Sequence, residues 1–201
     1  MKQQNILNFL DELFPDAHCE LVYNNHFELL IAIILSAQTT DLKVNNITPV
    51  LFSKYPTISD LANANVNEVK EILMPLGLAN TKAKNIVETA KIILSKGQTI
   101  PNKKEELVML PGVGGKTANV FLAEGLGLNA FAVDTHVSRV SNRLEISKSN
   151  DPNIIEKDLM KFFENKDWIK LHHQFIFFGR YFCKAKKPEC IKCKLRKYCT
   201  M

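Results

Sequence analysis

Four cysteines crowd into seventeen residues near the end of the chain, spaced Cys183-x6-Cys190-x2-Cys193-x5-Cys199. Thiolates at such density in a chain with no secretory leader point to metal rather than to disulfides. Zinc sites are usually built from two tight C-x2–4-C pairs, and here only Cys190 and Cys193 form one. An iron–sulfur cube has longer edges and tolerates the wider loops on either side. Spacing alone leaves both open and leans toward the cluster. Cys19 is left over and reads as a small buried thiol.

A second constellation is LPGVGGKTANV (110–120), which sets Gly112, Gly114 and Gly115 against Lys116 and Thr117. It is not a triphosphate loop, because G-x-x-x-x-G-K-[ST] would need glycine where Leu110 stands. A dinucleotide fingerprint starting at Gly112 would need glycine where Thr117 stands. The residues before the turn, NKKEELVML, read as a short helix with Leu107 and Leu110 on one face. Pro111 stops it, and GKTANVFLA starts another. A tight glycine turn between two helices can aim successive backbone N–H groups at one phosphate, helped by the positive end of the second helix. It can equally be an ordinary αα-corner.

The third feature is Asp134 in FAVDTHVSRV (131–140), which follows apolar residues and opens a helix as its N-cap. His136, two residues on, reads as a surface or supporting residue. His172 and His173 lie in a hydrophobic helix and read as packed residues.

The elements that must position these groups are helical almost throughout. ILNFLDELF, HFELLIAIILSAQTTDLKVNNITPVLFSKY, VNEVKEILMPLG, TKAKNIVETAKIILSKG, THVSRVSNRLEI, PNIIEKDLMKFFEN and WIKLHHQFIFFGRYFC all cluster apolar residues at i, i+3, i+4. Asp151-Pro152 reads as an N-cap and first helical residue, and Gly97 and Gly179 lie near helix ends. No window alternates long enough for a sheet, so the expected fold is all-α. PLGLANTKAKNIV (75–87) faintly echoes the glycine turn, with Lys82 and Asn85 where Lys116 and Asn119 fall. A second turn of similar shape is expected there.

With 201 residues and 46% hydrophobic content, the chain can form one large or two small globular domains. Its 8 glycines and 8 prolines argue against a disordered or fibrous class. Acids interrupt the amino-terminal stretch where a secretory h-region would lie. The longest apolar run, FELLIAIILSA, is about eleven residues with Glu28 inside it, too short to span a bilayer. A soluble, cytoplasmic protein that avoids membranes is expected. The net charge of +5 is localised: between Cys183 and Cys199 stand seven bases and one acid, a segment of +6. The rest of the chain is slightly negative. A polyanion is the partner such a tail fits, and Lys184, Lys186 and Lys187 in its first loop are candidate phosphate contacts.

LPGVGGKTANV, then AVDTHV about eighteen residues beyond Lys116, then C-x6-C-x2-C-x5-C together resemble the endonuclease III family. Its members are bifunctional DNA glycosylases and abasic-site lyases of the helix-hairpin-helix superfamily. The resemblance runs over essentially the whole chain and includes FELLIAIILSAQTTD, which is similar to the family's first long core helix and the polar loop after it. It implies two helical lobes with an active site in the cleft between them. One, over residues 20–130, would hold the helix-hairpin-helix motif, and the other, 1–19 plus 131–201, the iron–sulfur loop. It implies removal of oxidised or ring-saturated pyrimidines from double-stranded DNA by a monomer in base excision repair, with cleavage 3′ to the abasic site by β-elimination. Lys116 would be the nucleophile and Asp134 its carboxylate partner. The turn amides of Gly112, Val113, Gly114 and Gly115 would hold a phosphate. Gln38 and Leu78 would fill the gap left by a flipped nucleotide, and His136 would join the DNA-facing set. Cys183, Cys190, Cys193 and Cys199 would hold a 4Fe–4S cluster. Gly115 departs from the family where a basic residue often precedes the lysine, and Ala79 where an aromatic often follows the wedge leucine.

Three other readings fit less of the chain. A monofunctional adenine glycosylase shares the cluster and the aspartate but lacks the lysine. A DNA-binding module without catalysis has no use for Asp134, and an iron–sulfur redox sensor leaves the glycine turn idle.

Overall fold

The computed structural model describes residues 1–164 and 168–201. Among the described residues the regular structure is helical and no strand occurs, so the all-α expectation holds. The chain divides into two compact units, Glu20–Leu126 and a discontinuous one made of Met1–Cys19 with Gly127–Met201.

The Glu20–Leu126 unit is arranged around α2 (His26–Leu35), in which every residue from Phe27 to Leu35 is buried. Such an all-round apolar helix is stable only at the centre of a domain. Asn25 caps it by accepting from the Glu28 amide at 2.9 Å. The Glu28 carboxylate is buried but accepts from the backbone and side-chain nitrogens of Asn24, at 2.8 and 2.9 Å. Around α2 pack α3 (Asp41–Lys54), α6 (Ala79–Ser95) and α8 (Gly115–Leu126). The short α4 (Ile58–Ala62) and α5 (Val66–Leu73) cover α6, and α7 (Lys104–Leu107) lies on α8. The long helical pattern of residues 26–55 breaks at a turn over residues 36–40, which brings Gln38 to the surface.

The other unit packs α1 (Lys2–Leu13) on α11 (Trp168–Phe177), and α9 (Thr135–Arg143) on both α10 (Pro152–Phe162) and α11. Its core gathers Ile6, Phe9, Phe131, Val137, Phe175 and Phe178 with neighbouring apolar side chains. The rings of Phe131 and Phe175 meet edge to face at 6.1 Å, and those of Phe178 and Phe182 stack at 5.1 Å. Truncating one such buried ring typically costs about 3–5 kcal/mol. The helix expected to run to Asn165 ends at Phe162, and Asn165 itself lies outside the described residues. After α11 the chain winds into a wide π-turn, Phe178–Phe182, which leads into the cysteine segment. Cys19 departs from expectation: it is only half-buried, because it lies in irregular chain beyond α1 rather than on a helix face.

Candidate active site and nucleic-acid interface

The glycine turn lies between α7 and α8. α7 stops at Leu107, earlier than the pattern predicts, yet Leu107 and Leu110 are both buried and anchor the turn with Val113. Gly112 adopts φ +80°, a left-handed conformation open to glycine without strain. Thr89 of α6 steadies the turn by donating its hydroxyl hydrogen to the Pro111 carbonyl at 3.1 Å. The first amides of α8 have no carbonyl partner within the helix, and the first intrahelical bond is from the Ala118 amide to the Gly114 carbonyl. Nothing lies within 4 Å of the space a side chain on Gly114 would take, so the turn presents bare backbone to solvent. Gly115 starts α8 although it lacks a side chain, and Lys116, the next residue, is exposed.

In the same unit three non-glycine residues lie in the left-handed region: Gln98 just beyond the end of α6, with φ +60°, and two in other turns. Gln38 has φ +56° and is exposed; Leu78 has φ +51°, N-caps α6 and is 57% exposed. For a residue with a Cβ this conformation costs about 1–2 kcal/mol, and an apolar side chain held out to water in it is a poor arrangement for stability alone. Beside them Lys82 is buried, 4% exposed. Its ammonium donates to Thr39 Oγ1 and to the Leu76 carbonyl at 3.3 Å. Thr39 in turn donates to that carbonyl at 2.9 Å. Burial pushes the Lys82 pKa down. Ala79 is buried.

In the discontinuous unit Asp134 is the N-cap of α9. Its Oδ1 accepts from the amides of His136 and Val137, each at 2.8 Å, while Oδ2 receives no hydrogen bond from the described residues. One oxygen holds the helix. His136 is half-buried, with Nδ1 3.2 Å from Arg139 Nη2. Arg139 also donates to the Gly179 carbonyl at 2.7 Å. A methyl on Gly179 would come within 2.7 Å of His136 Cβ, so glycine there serves close approach rather than a turn. His172 and His173 are buried, and His172 Nδ1 lies 2.9 Å from the Ala132 carbonyl. Lys116 and Asp134 belong to different units.

The four cysteines line one pocket, with Arg143 and Phe178 among its other walls. Arg143 of α9 reaches Cys183 Sγ at 3.3 Å and donates to the Lys184 carbonyl at 2.8 Å. Burial, and then the neighbouring thiols of Cys183, Cys199 and Cys190, push the Cys193 thiol up. A bound cation would reverse that balance by favouring thiolates. Among the described residues no three His, Cys, Asp or Glu side chains converge on a single-ion site. Lys184, Lys186 and Lys187 are all exposed, and Lys187 turns the loop with φ +52°. Two other bases of the tail are engaged within the protein: Lys194 pairs with Glu12 at 2.6 Å and Lys192 with Glu189 at 3.6 Å.

Lys82, Thr39, Arg139 and Arg143 are the residues of these sites that sequence reasoning missed. The two arginines carried a readable signal, since they stand four residues apart on the helix that Asp134 opens. Lys82 carried only the faint echo of the glycine turn.

Residues 31–165 match the model of the HhH-GPD superfamily base excision DNA repair protein. The chain is 46% identical to endonuclease III of Bacillus subtilis (strain 168) over 195 residues, covering 96% of this chain and 89% of that one. A solved non-covalent complex of endonuclease III with DNA is 45% identical with a TM-score of 0.92, covering 100% of this chain and 95% of that one. A trapped covalent endonuclease III–DNA intermediate is equally similar, at 45% identity and TM-score 0.92, covering 100% and 96%. No helix among the described residues is long and apolar enough to cross a membrane.

Proposed function

Because the chain belongs to the endonuclease III family of the HhH-GPD superfamily, we propose that it is a DNA glycosylase and abasic-site lyase of base excision repair. The observation that carries this reading is whole-length similarity to a protein trapped covalently on DNA. Its substrate is duplex DNA bearing an oxidised or ring-saturated pyrimidine.

The reacting carbon, C1′, is buried in the base stack, so the nucleotide must first leave it at a cost of a few kcal/mol. Leu78 and Gln38 fill the vacated space; their exposed, left-handed placement supports that role. The Gly112–Gly115 turn holds a backbone phosphate on its bare amides and so sets the register of Lys116. Lysine attacks only as the neutral amine, and an ammonium in water is overwhelmingly protonated. Lys116 is exposed in the free protein, so the DNA itself must displace its water. Asp134 Oδ2 is an acceptor for the departing proton and stabilises the positive charge that develops on the sugar.

Attack forms a bond from Lys116 Nζ to C1′ as the N-glycosidic bond breaks, and the base leaves with the electron pair and takes up a proton. Ring opening gives an imine. Loss of a C2′ proton then expels the 3′ phosphate, which cuts the strand, and water releases the lysine.

Cys183, Cys190, Cys193 and Cys199, which line one pocket, would hold a 4Fe–4S cluster. When bound, it supplies a cross-link that shapes the loop. The residues Lys184, Lys186 and Lys187 of that loop bind phosphate. Incubation with abasic-site duplex and borohydride is the test. A covalent adduct is expected, and none with any abasic duplex would overturn the reading.

A further inference from the structure

We propose that Lys82 is a positioning residue for base extrusion: with Thr39 it ties the Gln38 turn to the Leu78 turn, so that both side chains enter the duplex as one rigid unit. This rests on the reading of Gln38 and Leu78 as the residues that fill the gap.

The tie is visible atom by atom. Thr39 directly follows Gln38, and Leu76 precedes Leu78 by two residues. Lys82 Nζ donates to Thr39 Oγ1 and to the Leu76 carbonyl, and the Thr39 hydroxyl closes the triangle on that same carbonyl. Lys82 lies on the face of α6 that also buries Ala79, Ala83 and Ile86. A position needing only packing would carry leucine or methionine, because an ammonium taken out of water must recover its hydration from protein acceptors. No carboxylate among the described residues pairs with Lys82. Its acceptors are instead one group from each of the two turns. Those turns are where help is required, since each holds a side-chain-bearing residue in a sparsely populated conformation that persists only when its surroundings enforce it. Held separately, the turns would relax, and Leu78 would fall back onto the protein surface instead of standing out from it.

The experiment compares Lys82→Met, Thr39→Val and Thr39→Ser with the unsubstituted protein. Two quantities are read: single-turnover release of 5,6-dihydrouracil from duplex DNA at saturating enzyme, and borohydride trapping on a single-stranded abasic oligonucleotide, which has no stack to open. Lys82→Met and Thr39→Val should slow the duplex reaction by about tenfold to a hundredfold, the usual cost of misplacement near 1 Å. Trapping on the single strand should be unchanged, and Thr39→Ser should retain the normal duplex rate. Thr39 is half-exposed, so Thr39→Val serves even where Lys82→Met fails to fold. Equal loss in both assays would make the contact merely structural and overturn the proposal. Leu78→Ala and Gln38→Ala separate the premises. If neither slows duplex release, the gap-filling reading falls and the tie with it. If they slow it while Lys82→Met and Thr39→Val do not, the tie alone falls.

Discussion

Asn85 of α6 lies directly against the α-carbon of Gly112: a methyl group there would come within 2.8 Å of Asn85 Nδ2, and within 3.0 Å of Ile34 Cγ2. The glycine turn is therefore seated on α6 and backed by the central helix α2. Gly112→Ala meets this wall and must also hold φ +80°. It should destabilise the protein by about 1–3 kcal/mol and weaken binding to undamaged duplex, because the amides can no longer converge on one phosphate. Thermal unfolding and a duplex titration check both. Gly114→Ala, which meets nothing within 4 Å, is the control for a change of residue without a clash.

Lys116→Gln should abolish imine trapping and strand cleavage while sparing duplex affinity and folding, since the side chain is exposed. Trapping at the unsubstituted level would remove Lys116 as the nucleophile.

Asp134→Asn keeps an oxygen that can cap α9 through the His136 and Val137 amides. The melting temperature should stay near that of the unsubstituted protein while base release slows by about 10²-fold, in line with losing one electrostatic stabiliser. A melting temperature that collapses together with the rate would make this aspartate purely structural.

Lys186→Gln with Lys187→Gln should weaken binding to damaged and undamaged duplex alike. Each lost phosphate contact removes about 0.9 from the slope of log affinity against log salt, so the slope should fall by up to about 2. An unchanged slope would reduce the loop to a solvated face. Cys190→Ser should yield protein without iron and inorganic sulfide, measured chemically; stoichiometric zinc in active protein would remove the cluster assignment.

The buried ammonium of Lys82 sets a pH dependence. Its pKa is lowered from the 10.5 of a solvated lysine, so between the lowered value and 10.5 the unfolded chain binds more protons than the folded one. The stability this group contributes is fully present above 10.5 and is lost as pH falls through the folded value. The melting-temperature difference between the unsubstituted protein and Lys82→Met should thus move in favour of the former as pH rises toward 10.5. A flat difference would mean that the fold does not desolvate this amine.

The fold was legible wherever the signal was local. Helical periodicity marked the helices and Asp134 reads as an N-cap from the residues on either side of it, whereas α7 ends at Leu107, four residues before the Pro111 expected to stop it. Lys82 was not legible, because a lysine on an amphipathic helix normally faces water and its acceptor Thr39 lies 43 residues away. The turn at Leu78 was announced by Gly77 beside it, but neither Gln38 nor Leu78 is itself glycine or asparagine, so nothing marked those two residues as left-handed. Arg139 and Arg143 act mainly on main-chain carbonyls, and a sequence does not advertise which carbonyls the fold will leave in reach. Gly179 reads correctly as lying near a helix end, but the reason for glycine is the approach of His136, a tertiary fact.

The two units differ in when they can form. Glu20–Leu126 is one contiguous stretch, whereas the other unit needs both ends of the chain. Asn5 donates to the Tyr198 hydroxyl at 2.6 Å across 193 residues, and Leu195 is part of the same core as Ile6. During synthesis from the amino terminus, the contiguous unit can fold while the ribosome is still extending the chain. The segment Met1–Cys19 must wait for α11, on which α1 packs. The unit that carries Asp134 and the cysteines is thus held together by non-local contacts, the kind that form slowly.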